Sequence, residues 1–582
     1  MSENSSTPKR RDVIAGTAAV GVMGLLGGTL LARGAGNLIR PFTVLSHAIL
    51  SSSLHRGVDA VITTNPLTPS KVLFLATGLA GSLLIGLSAQ FPSANVADIQ
   101  GGLFSTPDEA SWILTVYTMA TFAGIVLSGP FIRFLSIGRF LTVSAFIFMI
   151  AALGCAAAPD IRVMIALRTL QGFAAGGFGP AAFVAVFIVT GGPRLPFGLT
   201  MLAFVLLFPG SMGPVIAGFA EDSLGWQMLF LIQAGFGATL ALAAWAWVPR
   251  QADLDWSALR TDWIAVMLLS VALTTTMLVL SQGTRRFWLE DDFIVWSTAL
   301  SLGAWAGFLF LVRFSPAPIV SPRLIASRKL GIPIALNLVF RAGLVVTAYL
   351  VPQFLAVVQG YRPVELAVLF LWAAIPQLIV LPLVWWLMQL LDMRVVMGFG
   401  LGLCVIGTSL VVDGTALVAT EQLRATLMIF ATGQIMFLAP ALVVGATSLK
   451  PADLPTASLA FNIATLGGTT LGVALVSHFV TEREKFHSNI ITEYVSLYNG
   501  LDVDRLATLT AVFSNRLVDD SSAAARAASL LASIVRREAW VLAFNDGFLV
   551  VVVVLLIGAM GITAIGRSPP LRSVRAALGE VL

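Results

Sequence analysis

Charge is what this 582-residue chain has least of. Asp, Glu, Lys and Arg together make up 11%, where a soluble globular chain carries about 25%. That scarcity excludes a disordered chain and an ordinary water-soluble enzyme, because too little polar surface exists to face water. Cysteine is nearly absent: Cys155 and Cys404 stand alone, far apart inside apolar runs. Neither a disulfide scaffold nor a thiolate metal site follows from them. The four histidines, His47, His55, His478 and His487, have no metal-ligand spacing. No HExxH, nucleophile elbow or phosphate loop occurs, so an enzyme, a cofactor and ATP-driven pumping are not expected. No basic run with interleaved aromatics exists, and the net charge of +5 therefore does not point to nucleic acid.

What is present is apolar sequence. Hydrophobic residues make up 57% and mean hydropathy is +0.90. A membrane helix needs about 20 mostly apolar residues. Fourteen such stretches lie beyond residue 70, beginning with 72–99, 110–131, 140–158 and 161–189 and ending with 456–480 and 541–566. They are continuous rather than alternating, which predicts helices and not a barrel. The expected fold class is an all-α polytopic membrane protein with 14 transmembrane helices, arranged 6+2+6.

Lys and Arg in the gaps predict orientation. Fourteen lie in the alternate gaps that begin with Arg133 and Arg139 and end in the tail 567–582. Five lie in the short gaps on the other side: Arg162, Arg285, Arg286, Arg362 and Arg424. The second set carries acid instead, including Asp98, Asp108, Glu109, Glu221 and Asp222. Both ends of the core are thus expected on the cytoplasmic side of the membrane. The gap 481–540 is long, charged and expected outside. Apolar residues at spacings of three and four predict amphipathic helices there, serving either as a cap or as a docking surface for a periplasmic partner. Residues 1–71 are read as a cytoplasmic or surface-lying region. The run Val13 to Ala32, preceded by Lys9, Arg10 and Arg11, also fits a signal, a weak extra span or an extended start.

Charge within a span is a functional hypothesis by default. Arg168 lies centrally in 161–189 and Arg341 in 333–357, while the central third of every predicted span lacks an acid. Arg168 is either a packed cation or a charge lining a polar cavity. Arg341 is either a functional charge or a snorkelling one. Small residues cluster in GFAAGGFGPAA (172–182) and GSMGPVIAG (210–218), which lets helices approach closely, and Pro214 removes a backbone donor. Trp112, Trp226, Trp288, Trp296 and Trp540 fall near predicted span ends and are expected to anchor the interface.

These segments carry a resemblance. LRTLQG (167–172) resembles the fourth-span motif of the major facilitator superfamily, and GPVIAGFAEDSLGWQMLF (213–230) resembles its fifth-span antiporter motif. LVPQFLAVVQGYRPVELAVLF (350–370), LLDMRVVMGFGLGL (390–403), NIATLGGTTLGVALVS (462–477) and REAWVLAFNDGFLVV (537–551) are similar to the second half of its fourteen-span drug:proton antiporter branch, the EmrB-like type. The similarity runs over about residues 72–566. Two departures stand out. In SAQFPSANVADI (88–99), Asn95 matches, but Gln90 occupies the place of the branch's Asp. In GPFIRFLSIGR (129–139), Gly129 and Arg139 match, but Arg133 occupies an Asp position.

The resemblance implies two six-helix bundles, 72–248 and 333–566, with linker spans in 263–312. It implies secondary active export of a drug-like or fatty-acid-like molecule, driven by protons. Partners would be the substrate, protons, the lipid bilayer, and a periplasmic adaptor with an outer-membrane channel. The central cavity is expected between the bundles, lined by Gln90, Asn95, Tyr117, Arg168, Gln171, Asn337, Arg341, Gln353 and Gln434. Because Gln90 cannot release a proton, Asp98 and Glu109 are the expected carriers, with Arg168 on the pathway. Gly129, Arg133, Arg139, Gly213, Pro214, Gly218, Asp392 and Arg394 are the expected gating residues. A proton-independent facilitator or importer, a membrane-embedded lipid-acting protein and a non-transporting sensor are the alternatives.

Overall fold

A computed structural model describes residues 68–572 except 251–252, 260, 316–318, 447–448, 451–452, 496–499, 515–519 and 569. The expectations for residues 1–67, including the run from Val13, and for 573–582 lie outside the described residues. Among the described residues, fourteen apolar helices succeed one another. They are α1 (Pro69–Ala94), α2 (Pro107–Leu135), α3 (Ile137–Ala156), α4 (Ile161–Thr190), α5 (Leu195–Leu224), α6 (Gln227–Trp247), α7 (Trp263–Gln282), α8 (Asp292–Phe314), α9 (Gly331–Gln359), α10 (Pro363–Leu390), α11 (Met393–Ser409), α12 (Thr420–Ala446), α13 (Leu454–Tyr494) and α14 (Asp520–Gly561). Thirteen are long and apolar enough to cross a membrane. The 17-residue α11 reaches about 25 Å at 1.5 Å per residue and packs along α12 and α14.

Helix ends reflect local sequence. Thr106 and Glu109 form a reciprocal capping box at the start of α2. Asp160 and Asp262 cap α4 and α7 through their side chains. A single residue, Ser136, joins α2 to α3 at φ 68. The helix predicted to reach residue 99 instead stops at Ala94. Pro92 lies in its last turn, Asn95 breaks the geometry at φ −125, and a short helix Val96–Gly102 comes next.

Two helices are interrupted at mid-depth. In α4, Gly177 separates Ile161–Gly176 from Phe178–Thr190. In α9, regular helix ends at Gly343 and π turns span Val346–Leu350 and Leu355–Gln359. Such turns are often found at functional sites.

Glycines set the closest approaches. A Cβ on Gly172 would lie 3.0 Å from the Tyr117 Cα, and one on Gly472 would lie 2.7 Å from the Ala342 Cα. Within the N-terminal set, α2 packs on α4 and α3 on α6; within the C-terminal set, α9 packs on α13 and α10 on α12. Helices α7 and α8 pair with each other, and α7 also lies against α2 and α13. Their seam buries Phe122, Val266, Leu273, Phe308 and Leu459. The two sets meet where α5 runs along α10 and α12, and where α13 touches α2 and the second half of α4.

Two differences from the sequence reading concern the edges. Trp226 is not an interface anchor: it is 9% exposed and packs with Phe230, Ile99 and Met164. The stretch 481–540 is helical as read, but α13 continues unbroken to Tyr494 and α14 already begins at Asp520. Asp546 fastens the two extensions, accepting from Arg483 Nε at 2.6 Å and pairing with His487 Nε2 at 2.7 Å.

Candidate functional site: a cavity between the two halves

A cavity of about 180 Å³ lies between the two sets of helices. From α1, α2, α4 and α5 it receives Gln90, Tyr117, Thr118, Gly179 and Ser211; from α9, α12 and α13 it receives Arg341, Thr347, Gln434, Asn462, Thr465 and Thr469. Among the described residues, no Asp or Glu lines it.

The halves touch toward both ends. At the end bearing Asp98, Asp108 and Glu221, the acidic end, a Cβ on Gly218 would lie 2.5 Å from the Pro363 carbonyl oxygen. At the end bearing Arg133, Arg194 and Arg394, the basic end, Phe183 stacks on Phe461 with centroids 6.2 Å apart. Phe197 meets Trp385 edge-on there at 5.7 Å.

Arg341 is the cavity's cation. It is 5% exposed, and its Nη1 donates across the interface to the Leu206 carbonyl of α5 at 3.2 Å. Among the described residues, its Nε and Nη2 have no hydrogen-bond partner. Four residues earlier, on the same helical face, Asn337 donates to Thr465 Oγ1 at 3.0 Å. Gln434 lines the cavity and accepts from Gln377 Nε2 at 2.7 Å. Gln90 lies against Gly213, where a Cβ would come within 2.5 Å of its own Cβ. The Gln90 side chain can sit at this α1–α5 crossing because Gly213 supplies none.

Arg168 lies elsewhere. It is 0% exposed and outside the cavity lining, in the core of the N-terminal set. Its Nη1 donates to Gln171 Oε1 at 2.6 Å, its Nη2 to the Ser88 carbonyl at 3.3 Å and its Nε to the Ile113 carbonyl at 3.4 Å. Tyr117 covers it at 4.0 Å from the ring centroid, and Gln171 donates onward to Gln233 Oε1 at 2.8 Å. All three guanidinium nitrogens are satisfied, as burial requires. Tyr117 separates this network from the cavity: one face of its ring meets Arg168, and its hydroxyl donates to the Ile85 carbonyl at 3.1 Å.

Of the residues expected to line the cavity, Gln90, Tyr117, Arg341 and Gln434 come together there. Arg168 and Gln171 are packed behind Tyr117. Asn337 sits behind Thr465. Asn95 is buried at the α1 break, donating to the Phe91 carbonyl at 3.4 Å, and Gln353 is exposed among the π turns. Asp98 is partly exposed and Glu109 exposed at the acidic end, where Glu109 accepts from the Thr106 amide at 2.9 Å.

The expected gating residues divide between the two ends. Gly129 and Arg133 are exposed at the basic end, and Arg133 donates to Thr261 Oγ1 at 3.2 Å. Arg139 lies on the first turn of α3. Asp392 accepts from the Arg394 amide at 2.9 Å and pairs with its guanidinium at 3.1 Å. Arg394 also donates to the Ile565 carbonyl at 3.4 Å. Gly213, Pro214 and Gly218 lie on α5: Gly213 meets Gln90 of α1, and Gly218 meets Pro363 of α10 across the halves.

Asn462, Thr465 and Thr469 went unread as cavity residues. Their spacing of three and four in NIATLGGTT is a one-face signal.

Residues 72–473 match the Major Facilitator Superfamily as a family. The chain belongs to that superfamily. Superfamily members close to it include the colistin resistance protein EmrB of Acinetobacter baumannii, 22% identical over 83% of this chain and 94% of that one. The multidrug export protein EmrB of Escherichia coli K12 is 21% identical over 74% of this chain and 83% of that one. Among solved structures, a peptide transporter bound to alafosfalin superimposes with a TM-score of 0.53 at 13% identity, covering 84% and 94%, and this supports the major facilitator fold alone. The chain is therefore an integral membrane transporter of a small molecule, not an enzyme.

Proposed function

We propose that this superfamily member is a proton-coupled exporter of amphipathic or aromatic small molecules, of the multidrug efflux type. The observation that carries the reading is the cavity whose walls come from both halves. A chamber shared in this way opens to one side or the other when the halves rock. Its polar groups stand among apolar side chains, as a small-molecule site requires. The names of the two EmrB relatives, multidrug export and colistin resistance, support efflux.

The excess of Lys and Arg at the basic end supports a bacterial inner-membrane location with that end and both core termini in the cytoplasm. The pairing of α7 with α8 supports a six-plus-two-plus-six division. The helical extensions of α13 and α14, with the short helix Gly500–Ser514 between them, expose Phe486, Tyr494, Leu501, Val512 and Ile534, which suits docking of a periplasmic adaptor that leads to an outer-membrane channel.

Flux of a fluorescent substrate into inverted vesicles, with and without a pH gradient, tests the reading. Gradient-dependent uptake is the expected result; uptake indifferent to the gradient overturns proton coupling. A proton-independent facilitator is the second reading, favoured by Gln90 and by the acid-free cavity lining. If Asp98 and Glu109 carry the proton, replacing them together by Asn and Gln abolishes the pH dependence of flux. An unchanged pH dependence removes both from the pathway.

A further inference from the structure

We infer that the central cavity selects organic anions, a carboxylate on a compact apolar body, with Arg341 as the group that holds the negative charge. The inference deepens the transport reading above and rests on it for the role of the cavity. Three observations carry it.

The first is the state of Arg341. A buried guanidinium offers five N–H donors, and here one nitrogen is used while Nε and Nη2 have no partner. Unpaired buried donors of a charged group are costly, so their retention in a wall of the cavity marks a place for a missing acceptor. A planar fork of this kind matches a carboxylate with two parallel hydrogen bonds.

The second is the absence of competition. Among the described residues, no acidic side chain lines the cavity, so its field is positive and undivided. Gln90, Gln434, Asn462 and the threonines add neutral groups only. A cationic guest would meet Arg341 without a counter-charge and be repelled at low dielectric.

The third is backbone geometry. Regular helix in α9 ends two residues beyond Arg341, and the π turn Val346–Leu350 begins five residues beyond it. Thr347 of that turn lines the same cavity. Irregular helix lining a cavity is where membrane carriers commonly place their substrate sites. The volume of about 180 Å³ is below the about 300–1,000 Å³ of ordinary ligand pockets, which favours a compact guest such as a fused bicyclic acid.

The test is equilibrium binding to the purified full chain in detergent. Three matched probes are used: 1-naphthoate, 1-naphthalenemethanol and 1-naphthylmethylammonium. Naphthoate is expected to bind at least tenfold tighter than the neutral alcohol, and the ammonium weakest. In Arg341→Gln the preference for naphthoate over the alcohol is expected to vanish, while Arg341→Lys keeps part of it. Equal binding of the acid and the alcohol to the unmodified protein overturns the inference, as does preference for the ammonium. A naphthoate preference that survives in folded Arg341→Gln also overturns it. Displacement of naphthoate by phosphatidylglycerol but not by phosphatidylcholine assigns the charge to lipid headgroups and overturns the small-molecule claim. The unmodified protein alone can refute the inference, so a misfolded variant does not shelter it. Because binding needs no pH gradient, the two readings fail separately. Gradient-driven flux without charge selectivity removes only the anion claim, and selective binding without driven flux removes only the exporter.

Discussion

Arg168 and Arg341 are both buried in membrane-spanning helices, at 0% and 5% exposure, and neither is paired with a carboxylate. Their surroundings differ in one respect. Arg168 spends every nitrogen on fixed groups within one half of the protein: Gln171, two carbonyls and the face of Tyr117. Arg341 reaches across to the other half with one nitrogen and leaves two unspent. A fully satisfied buried cation organises the helices around it. A partly satisfied one at a moving interface can exchange partners when the halves rock or when a ligand arrives. The same residue type therefore serves two purposes, and the count of unsatisfied nitrogens separates them.

The strongest way to break that comparison is Arg168→Ala. Removal strands Gln171 Oε1 and the Ser88 and Ile113 carbonyls and leaves a void beneath Tyr117. Breaking a buried charged network of this kind costs about 3 kcal/mol or more. The expected outcome is a protein that inserts but unfolds at a much lower temperature and barely transports. Thermal unfolding monitored by fluorescence size exclusion measures it, and a midpoint within error of the parent would strip Arg168 of its organising role.

Arg341→Gln should behave in the opposite sense. It removes a charge whose desolvation is poorly repaid, so the thermal midpoint is expected to hold or rise while flux of an anionic probe falls at least tenfold. A large loss of stability in this variant would make the two arginines equivalent and end the distinction.

The sequence made the existence of both arginines plain, because charge inside an apolar run is conspicuous. It did not reveal which one faces the cavity. Around Arg168 the helix is apolar on nearly every side and carries little directional signal, so the side it shows is decided by which helix lies against it. Gln353 illustrates the second obstacle. Each π turn in α9 inserts a residue and rotates the downstream part of the helix by about 100°, so helical spacing from Arg341 no longer says where Gln353 points. Asn462, Thr465 and Thr469 were legible in principle, since their spacing survives in the regular α13. The span count was legible throughout, because hydropathy depends on composition rather than on neighbours.

The interface that Arg341 bridges can also be forced. A Cβ on Gly218 would lie 2.5 Å from the Pro363 carbonyl oxygen and 2.8 Å from the Ala367 Cβ. Overpacking of this order costs about 1–3 kcal/mol, enough to shift a two-state balance roughly 5- to 150-fold. Gly218→Val is therefore expected to favour states open at the acidic end and to slow transport. With Thr347→Cys as a reporter in the cavity wall, a membrane-impermeant maleimide should label several-fold faster from that end. Unchanged labelling would mean that the Gly218 contact does not control access.

The smallest expected effect concerns a charged pair that lies outside both arginine sites. Partial burial pushes the Asp392 carboxyl up, but hydrogen bonds from the Arg394 side chain and amide outweigh it and leave the group below its ordinary value of 3.8. A depressed folded-state value means that the contribution is fully present above about pH 4 and is lost as pH falls further through the folded value. The pair is also part-exposed, with side-chain exposures of 24% and 31%, so solvent screens much of it. Asn remains a good helix cap, which leaves Asp392→Asn to delete only the ionic part. The expected change is a midpoint lowered by roughly 1–2 °C near neutral pH, shrinking as pH falls below about 4. A gap that stays constant across that range would show that the carboxylate charge contributes nothing, and that Asp392 acts at the basic end as a cap alone.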